Sequence, residues 1–475
     1  MDVLKRLFEE RFRSPIERLD PLQGKLGGSG RILVRVRGGG HTAIGVVYSV
    51  REENVAFLEF SRHFRSHGLA VPEIYAEALD EGAYLEEDLG DTTLFEFLTS
   101  NRSGETIAPE VIQVYRKVVA ELPRFQVDAG RDLNYKVCYP RASFDRQSIA
   151  WDLNYFKYYF LRLAGIPFNE QALEDDFERL TKFLLTANHK FFLYRDFQSR
   201  NVMLRDGKPY FVDYQGGRKG ALQYDIASLL FDGKADLPPA LREELLSYYL
   251  ECLAGTTNIT REVFMEHYYA YVYIRIMQAL GAYGFRGYYE RKAHFLQSVP
   301  YALKNLRWLA ENIKLPIELP ALMDAFSRMS NSESLQTRAV RAGVLTVRIF
   351  SFSFYGDKPV DDSGNGGGFV FDARSLPNPG REDQYKQLTG KDEPVIDYLN
   401  QHGEVHQYFA NVRSLVDESV KTYRRRGFTD LMVSFGCTGG QHRSVYLAET
   451  LAEHLQGIDG IEVTLRHLSL EKMGK

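Results

Sequence analysis

The amino-terminal part of the chain alternates glycine clusters with segments whose apolar residues recur at strand or helix spacing. Residues 1–20 place apolar side chains along one side of a charged amphipathic helix. Residues 31–37 and 42–50 alternate apolar and polar positions as β-strands do, and residues 54–67 return to helical spacing. The pattern predicts a small lobe of sheet and helix that suits a nucleotide.

Long helical patterns dominate from about Ile107 to Glu318. Two short β-type runs, residues 201–204 and 210–214, interrupt them, and the Asp206-Gly207 pair between the runs is typical of a hairpin turn. The pattern predicts a larger, mostly helical lobe that contains one hairpin.

A polar stretch from Ser327 to Arg341 has the composition of a linker. Beyond it, strand-like and helix-like segments predict a separate α/β domain. The expected strands there are 344–355, 368–373 and 431–435, and the expected helices are 404–425 and 444–455. The expected division is an N-lobe at 1–105, a C-lobe at 106–326, a linker at 327–343 and the α/β domain at 344–475.

Composition excludes several classes of protein. The 475 residues are 44% hydrophobic, which excludes overall disorder, and the net charge of −4 gives no basic field for nucleic acid or an anionic membrane. The three cysteines, Cys138, Cys252 and Cys437, form no C-x-x-C pair. No apolar run has the length of a membrane helix, and the first residues lack a signal-peptide core. We expect a soluble, cytoplasmic protein.

Residues 191–215 contain a constellation suited to phosphoryl transfer. This reaction needs a carboxylate that orients or deprotonates the attacking hydroxyl, and oxygen ligands that hold magnesium on the nucleotide phosphates. Asp196 would be the catalytic base, while Asn201 and Asp213 would bind the metal. The alternative is an ordinary loop and hairpin with polar caps.

These residues resemble the catalytic loop of the aminoglycoside/choline kinase family. Ser199-Arg-Asn201, Val212-Asp-Tyr-Gln215 and Tyr224-Asp-Ile-Ala-Ser-Leu-Leu230 are similar to the bacterial cell-wall recycling kinases that phosphorylate N-acetylmuramate and N-acetylglucosamine. The resemblance covers about residues 22–309. It implies an α+β protein-kinase-like bilobal fold, ATP and Mg²⁺ as cofactors, and a sugar or amino sugar as substrate.

The resemblance also implies further site residues. The expected ATP-binding residues are Gly27, Gly28, Ser29 and Gly30 in a glycine-rich loop and Glu87, Asp88 and Leu89 in the hinge. The expected substrate-binding residues are Asp152, on a helix, and Arg200, in the catalytic loop. Glycines suit the loop because their backbone N–H groups can approach phosphate closely.

One family feature is missing from the chain. Protein kinases and aminoglycoside kinases carry a lysine on the strand after the glycine-rich loop, whereas residues 42–50 contain none. The gap is similar to that of the recycling kinases and favours that branch. Lys25 or Arg31 could supply the missing charge, and Glu59, the formal partner of the lysine, is expected on a solvated helix face.

The second chemical signal, residues 431–448, reads as a strand, a glycine-containing loop and a helix. Backbone N–H groups and the helix N-terminus would face an anion, and Arg443 could bind phosphate with two hydrogen bonds. The expected ligand loop is Cys437, Thr438, Gly439, Gly440, Gln441, His442, Arg443 and Ser444. Cys437 and Arg443 also have the spacing of a tyrosine-phosphatase loop, but Gly436 stands where that family has a histidine.

This loop is similar to the hallmark of the RapZ family, the RNase adapter proteins. Residues 371–379 and 388–390 add two matches, so the resemblance covers 347 to about 470. It implies glucosamine-6-phosphate as ligand and small RNA as partner, although Gly380-Arg381 replaces a family histidine. Residues 341–475 carry 16 Lys and Arg against 18 Asp and Glu, a net of −2, which does not favour RNA.

Together the two halves predict an ATP-dependent sugar kinase followed by a domain that binds a phosphorylated amino sugar. One alternative is a regulatory RNase-adapter-like RNA-binding protein with a degenerate kinase half, and a cysteine phosphatase is another. The sequence indicates no membrane partner. It leaves open which sugar and hydroxyl react and whether chains assemble into oligomers.

Overall fold

A computed structural model describes residues 1–22, 30–104, 106–290, 292–332, 335, 345–356, 358–361, 367–426, 428–458 and 460–474. Its contacts divide the chain into two compact units. The first unit is Met1–Gly284 with Tyr301–Asn331, and the second is Phe285–Pro300 with Ser332–Lys475. The expected domain boundaries stay predictions, and most of the expected linker lies outside the described residues.

The first unit begins with a five-stranded antiparallel sheet. Its strands are β1 (Arg18–Pro21), β2 (Ile32–Gly38), β3 (His41–Val47), β4 (Ile74–Ala78) and β5 (Ala83–Glu87), in the order β1-β2-β3-β5-β4. The expected helix over 1–20 is wrong beyond Phe12. Arg13 ends it with a positive φ of 53°, and Arg18–Pro21 pair with β2 instead.

Helices cover both faces of this sheet. Helix α1 (Asp2–Phe12) buries Leu4, Leu7 and Phe8 against one face. Helix α2 (Arg51–Ser66) lies on the other face, where Phe57 stacks on Tyr84 of β5 with 5.3 Å between ring centroids. Side chains of alternating strand positions therefore face α1 or the side of α2.

The rest of the first unit is mostly helical, as the sequence predicts. The helices from residue 94 to residue 330 are α3 (Leu94–Ser100), α4 (Pro109–Pro123), α5 (Arg146–Tyr155), α6 (Glu170–Leu184), α7 (Gln223–Leu230), α8 (Pro239–Ala254), α9 (Arg261–Gly284), α10 (Val299–Asn312) and α11 (Pro320–Ser330). Among the described residues, no helix is long and apolar enough to cross a membrane.

Short strand pairs lie between these helices. They are β6 (Arg102–Ser103) with β7 (Thr106–Ile107), β8 (Phe191–Leu193) with β11 (Arg218–Gly220), and β9 (Val202–Arg205) with β10 (Lys208–Phe211). Asp206 and Gly207 join β9 to β10 with positive φ angles of 53° and 71°, as a tight hairpin turn requires. The predicted hairpin is confirmed, although its second strand ends at Phe211 rather than at Tyr214.

The second unit contains a four-stranded parallel sheet. Its strands are β12 (Leu345–Ser353), β13 (Gly368–Asp372), β14 (Asp430–Cys437) and β15 (Ile461–His467), in the order β13-β14-β12-β15. Its helices are α12 (Glu393–Asn400), α13 (Gly403–Arg426), α14 (Arg443–Gln456) and α15 (Leu468–Met473). Strand β15 was not predicted. The central strands are buried between helices, as parallel strands usually are.

Candidate functional site

The predicted catalytic loop is held by one buried carboxylate. Strand β8 leads into Tyr194, Arg195 and Asp196, and Arg195 has a positive φ of 82°. The carboxylate of Asp225, at the start of α7, accepts the backbone N–H groups of Tyr194 at 2.9 Å and Arg195 at 3.0 Å. Asp225 thereby fixes the peptide that immediately precedes Asp196.

Asn201 joins the other two predicted site residues. Its side-chain Nδ2 donates to the backbone carbonyl of Asp196 at 2.9 Å and to Oδ2 of Asp213 at 3.0 Å. Gln215 Nε2 donates to Oδ1 of Asp213 at 2.6 Å, and Asp213 itself has a positive φ of 69°. The structure brings Asp196, Asn201 and Asp213 into one hydrogen-bonded cluster.

The environment of Asp196 raises the pKa of its carboxyl group. Burial and the neighbouring carboxylate of Asp213 raise the pKa of Asp196, and the charges of Arg195, Arg275 and Arg218 oppose that rise. A carboxylate whose pKa moves towards neutrality is a stronger base for a hydroxyl proton.

Two oxygen donors of the cluster fit a hard cation. The side chain of Asp213 is 39% exposed, although it already accepts two hydrogen bonds. Because Asn201 uses its amide nitrogen for Asp196 and Asp213, its amide oxygen is left for another partner. A carboxylate and an amide oxygen are ligands that Mg²⁺ accepts.

Arg31, one of the two residues considered as a replacement for the missing lysine, lies between Glu53 and Asp213. It immediately precedes β2, and its NH2 donates to Glu53 of α2 at 2.6 Å, while its NH1 lies 3.8 Å from Oδ1 of Asp213. Its Nε is buried and donates to no described residue. Ile44 and Val46 occupy the positions of β3 that face the same side.

Arg31 forms its ion pair with Glu53. Glu59, which would be the formal partner of the missing lysine, is exposed. Glu86 of β5 adds a carboxylate near this pair. Burial raises the pKa of Glu86 to about 8, Arg31 lowers it and Asp213 raises it further. Its Oε2 is buried and accepts no hydrogen bond from the described residues.

The charged side chains of the hinge are paired with arginines of the first unit. Glu87 accepts a hydrogen bond from Arg205 at 2.7 Å, and Asp88 pairs with Arg35, whose Nε lies 2.8 Å from Oδ2. Leu89 is buried. Any contact of this segment with a nucleotide would therefore be made by its backbone. Of the predicted glycine loop, Gly27, Gly28 and Ser29 lie outside the described residues.

The two residues predicted to bind substrate make contacts with different parts of the first unit. Asp152 of α5 accepts two hydrogen bonds from Arg195, at 2.8 Å and 2.6 Å, and so supports the catalytic loop. Arg200 is exposed, and its guanidinium carbon lies 4.5 Å from the ring centroid of Phe95 on α3. Both assignments to substrate stay predictions.

The predicted ligand loop of the second unit connects β14 to α14. The Cys437 side chain is 2% exposed, and its Sγ accepts from the backbone N–H of Gly440 at 3.1 Å and lies 3.1 Å from Oγ of Ser444. A thiol buried in this way stabilises the loop and has little access to a phosphate ester. The geometry does not favour a cysteine phosphatase.

Three polar side chains of this loop point towards residues 374–390. Gln441 donates to the Leu388 carbonyl at 2.6 Å, and His442 Nε2 lies 2.9 Å from the Tyr385 carbonyl. Arg443, which is almost fully buried, donates from NH1 to two carbonyl groups, at 2.9 Å each. Thr438 and Gly439 are the exposed part of the loop.

Two family models match separate parts of the chain. The phosphotransferase enzyme family (APH) matches residues 35–261, and the RapZ C-terminal domain matches residues 345–471. The chain carries an APH phosphotransferase domain followed by a RapZ C-terminal domain. Both family resemblances are confirmed, together with the fold class of a kinase-like bilobal fold and a separate α/β domain.

Individual relatives match the RapZ part. A nucleotide-binding protein of Thioalkalivibrio sulfidiphilus is 40% identical over 138 residues, 29% of this chain and 46% of the relative. The RNase adapter protein RapZ of Yersinia pseudotuberculosis is 39% identical over 143 residues, 30% of this chain and 48% of the relative. The chain thus spans about half the length of these curated relatives.

Among solved structures, choline kinase LicA from Streptococcus pneumoniae is 16% identical with a TM-score of 0.44, and the match covers 65% of this chain and 98% of that chain. A choline kinase from Cryptosporidium parvum is 11% identical with a TM-score of 0.45, and the match covers 69% of this chain and 99% of that chain.

Sequence reasoning missed two residues of the APH domain. Glu53 is the partner of Arg31, and Arg218 is buried beside the catalytic loop. No sequence motif distinguishes Glu53, because it is one of several charged residues at the start of α2. Arg218 lies three positions after Gln215, and that closeness was the available signal.

Proposed function

We propose that the protein is an ATP-dependent kinase that phosphorylates a hydroxyl of a sugar or amino sugar of the N-acetylmuramate or N-acetylglucosamine type. The observation that carries this proposal is the hydrogen-bonded cluster of Asp196, Asn201 and Asp213. It supplies one carboxylate for an acceptor hydroxyl and two oxygen ligands for a metal, which are the groups that phosphoryl transfer needs.

In the proposed reaction, Asp196 accepts the proton of the acceptor hydroxyl while the hydroxyl oxygen attacks the γ-phosphorus of ATP. The bond from the γ-phosphorus to the β–γ bridging oxygen breaks, and ADP leaves. Asn201 and Asp213 would hold Mg²⁺, and Arg31, held by Glu53, would face the nucleotide phosphates from the sheet. Bound MgATP supplies the phosphoryl group and the metal charge that stabilises its oxygens. The proposed substrate class, an amino sugar, rests on the resemblance of residues 199–201, 212–215 and 224–230 to the cell-wall recycling kinases.

The test is MgATP consumption with N-acetylglucosamine, N-acetylmuramate, glucosamine and an aminoglycoside. Asp196→Asn should abolish turnover, because an amide cannot accept the hydroxyl proton. Asp206→Asn is the matched control, since Asp206 lies in the hairpin turn and asparagine tolerates its positive φ. Wild-type protein that turns over none of the four compounds would contradict the proposal.

For the second unit, we propose binding of a phosphorylated amino sugar at the loop of residues 437–444. The support is the match to the RapZ C-terminal domain and a strand-loop-helix connection whose exposed residues are Thr438 and Gly439. A loop followed by a helix N-terminus is a site where backbone N–H groups bind phosphate. Binding of this ligand would also regulate the kinase.

The test is calorimetric binding of glucosamine-6-phosphate to the full chain, with glucosamine as the uncharged comparison. Gly439→Asp places a carboxylate in open space beside the loop and should abolish binding. Gly457→Asp, at the C-terminal end of α14, is the matched control because its φ of −77° accepts a side chain. Equal binding by both variants would contradict this part of the proposal.

The name of the RapZ relative, an RNase adapter protein, favours RNA binding as a second candidate function. Retention of RNA that falls steeply with salt would support it, because neutralising phosphates releases counterions. If the protein retains RNA and Asp196→Asn consumes MgATP at the same rate as the wild type, the adapter function replaces the kinase function.

A further inference from the structure

Arg218 is a buried arginine that has no carboxylate partner among the described residues. Its residue is only 6% exposed, and its Nε donates to the Gly216 carbonyl at 2.9 Å. Its two terminal nitrogens donate to no described residue, and no described carboxylate lies within ion-pair distance of its guanidinium. These nitrogens are not among the polar atoms sealed from solvent, so the end of the side chain retains some exposure to solvent.

A buried charge without a counter-charge is unfavourable, and folded proteins usually pair it. Burial and the neighbouring charge of Arg195 lower the pKa of Arg218 to about 10. The charge of Asp152 opposes this lowering of the pKa, but both oxygens of Asp152 already accept hydrogen bonds from Arg195. The positive charge of Arg218 is therefore available to a ligand.

Arg218 lies close to the predicted catalytic base. It pairs with Leu193 across the β8–β11 ladder, three residues before Asp196. Its charge acts on Asp196, as does that of Arg275, which donates to Ser228 and Gln278 and also has no carboxylate partner among the described residues. Two uncompensated arginines therefore contribute positive potential beside Asp196.

We propose that Arg218 is a specificity-determining residue that binds an acidic group, a carboxylate or a phosphate, of the acceptor substrate. This inference rests on the proposed kinase function and narrows it from sugars in general to anionic ones. The acidic group supplies the counter-charge that the chain itself does not, and it orients the acceptor hydroxyl towards Asp196.

The experiment compares acceptors that differ in one charge. N-acetylmuramate is compared with its methyl ester, and glucosamine-6-phosphate with glucosamine, by kcat/KM and by calorimetric binding to the full chain. A hydrogen bond between charged groups corresponds to roughly a tenfold to hundredfold preference for the acid. A preference for the carboxylate or for the phosphate that Arg218→Met removes identifies which acidic group Arg218 binds, because this variant leaves the loop of residues 437–444 unchanged. Either result supports the inference.

Arg218→Met should lower the ratio of kcat/KM for the acid to that for the neutral acceptor to near one, because it weakens binding of the acid alone. Arg218→Lys should retain part of this preference. Lys219→Met is the matched control, because Lys219 is the exposed neighbour on β11 and lies over the ring of Tyr135. A wild-type protein without acid preference, or an Arg218→Met variant that loses acid and neutral acceptors equally, overturns the inference.

Calorimetry separates this inference from the proposed function. If no compound is phosphorylated but an acid binds in an Arg218-dependent way, the kinase proposal fails and the anion site stands. If MgATP is consumed equally with acid and ester, the kinase stands and the anion site fails. Thermal melting of Arg218→Met keeps a folding defect distinct from both results.

Discussion

The guanidinium of Arg31 lies 2.6 Å from a carboxylate oxygen of Glu53 and 3.8 Å from one of Asp213. These contacts connect the start of β2, helix α2 and the end of the β9–β10 hairpin around one positive charge. Strand β3, where related kinases carry a lysine, presents Ile44 and Val46 on the same face. We therefore propose that Arg31 supplies the charge that would face the nucleotide phosphates.

Arg31→Met should weaken binding of MgATP and MgADP by at least about tenfold, because it removes a charged partner of the phosphates. Affinity for adenosine should stay within about twofold, since adenosine has no phosphate. Calorimetric titration of the three ligands measures both effects. Arg37→Met is the control, because Arg37 lies on the same strand in an exposed pair with Asp20. Equal losses for adenosine and MgADP would indicate a structural role instead.

Glu86 should make the stability of the first unit depend on pH. Its pKa is raised to about 8 in the folded state, chiefly by burial, against an ordinary value of 4.5. The folded state therefore binds this proton more tightly than the unfolded state, and stability is lost as the pH rises from about 5 to about 8. Glu86→Gln removes this loss because it cannot ionise.

The melting temperature of Glu86→Gln should match that of the wild type near pH 5 and exceed it increasingly up to pH 8, by at least about 4 °C. Above pH 8 the difference should stay constant. Calorimetric melting at several pH values measures it. Glu59→Gln, which changes an exposed carboxylate on α2, should show no such trend. A constant difference at every pH would contradict the buried-acid argument.

Asp225→Asn should lower kcat at least about tenfold and reduce stability by about 1–3 kcal/mol. The wild-type carboxylate accepts hydrogen bonds from two backbone N–H groups and from Gln126. The side-chain NH₂ group of an asparagine would face these N–H groups and could not accept hydrogen bonds from them. Kinase rates and thermal melting measure the two effects. The control is Asp175→Asn, an exposed acid on α6. An unchanged kcat would show that the loop keeps its position without Asp225.

Arg443→Met should loosen the second unit around residues 374–376. Its NH1 bonds to the carbonyl groups of Arg374 and Leu376 would be lost, at a cost of about 1–3 kcal/mol. Hydrogen exchange of residues 373–390 should become faster, while Arg413→Met, an exposed change on α13, should leave it unchanged. If phosphosugar binding alone were lost and exchange stayed slow, Arg443 would be a ligand residue.

The clustering of Asp196, Asn201 and Asp213 was predictable from the sequence because these residues are close along the chain. Asn201 and Asp213 are joined by a hairpin whose turn, Asp206-Gly207, fixes the register of the two strands. Local geometry thus decides where Asp196, Asn201 and Asp213 lie relative to one another. The strand-loop-helix around Cys437 was predictable for the same reason.

Only the tertiary structure decided which charged groups pair. The sequence offered Lys25 and Arg31 as replacements for the lysine, and packing placed Arg31 against Glu53 rather than Glu59. Packing also directs Arg443 towards carbonyl groups and pairs Asp152 with Arg195. Among the residues that the structure describes, Arg218 is thereby left without an acidic partner. Many acids and bases share similar spacing along a chain, so their partners depend on which distant elements the fold brings together.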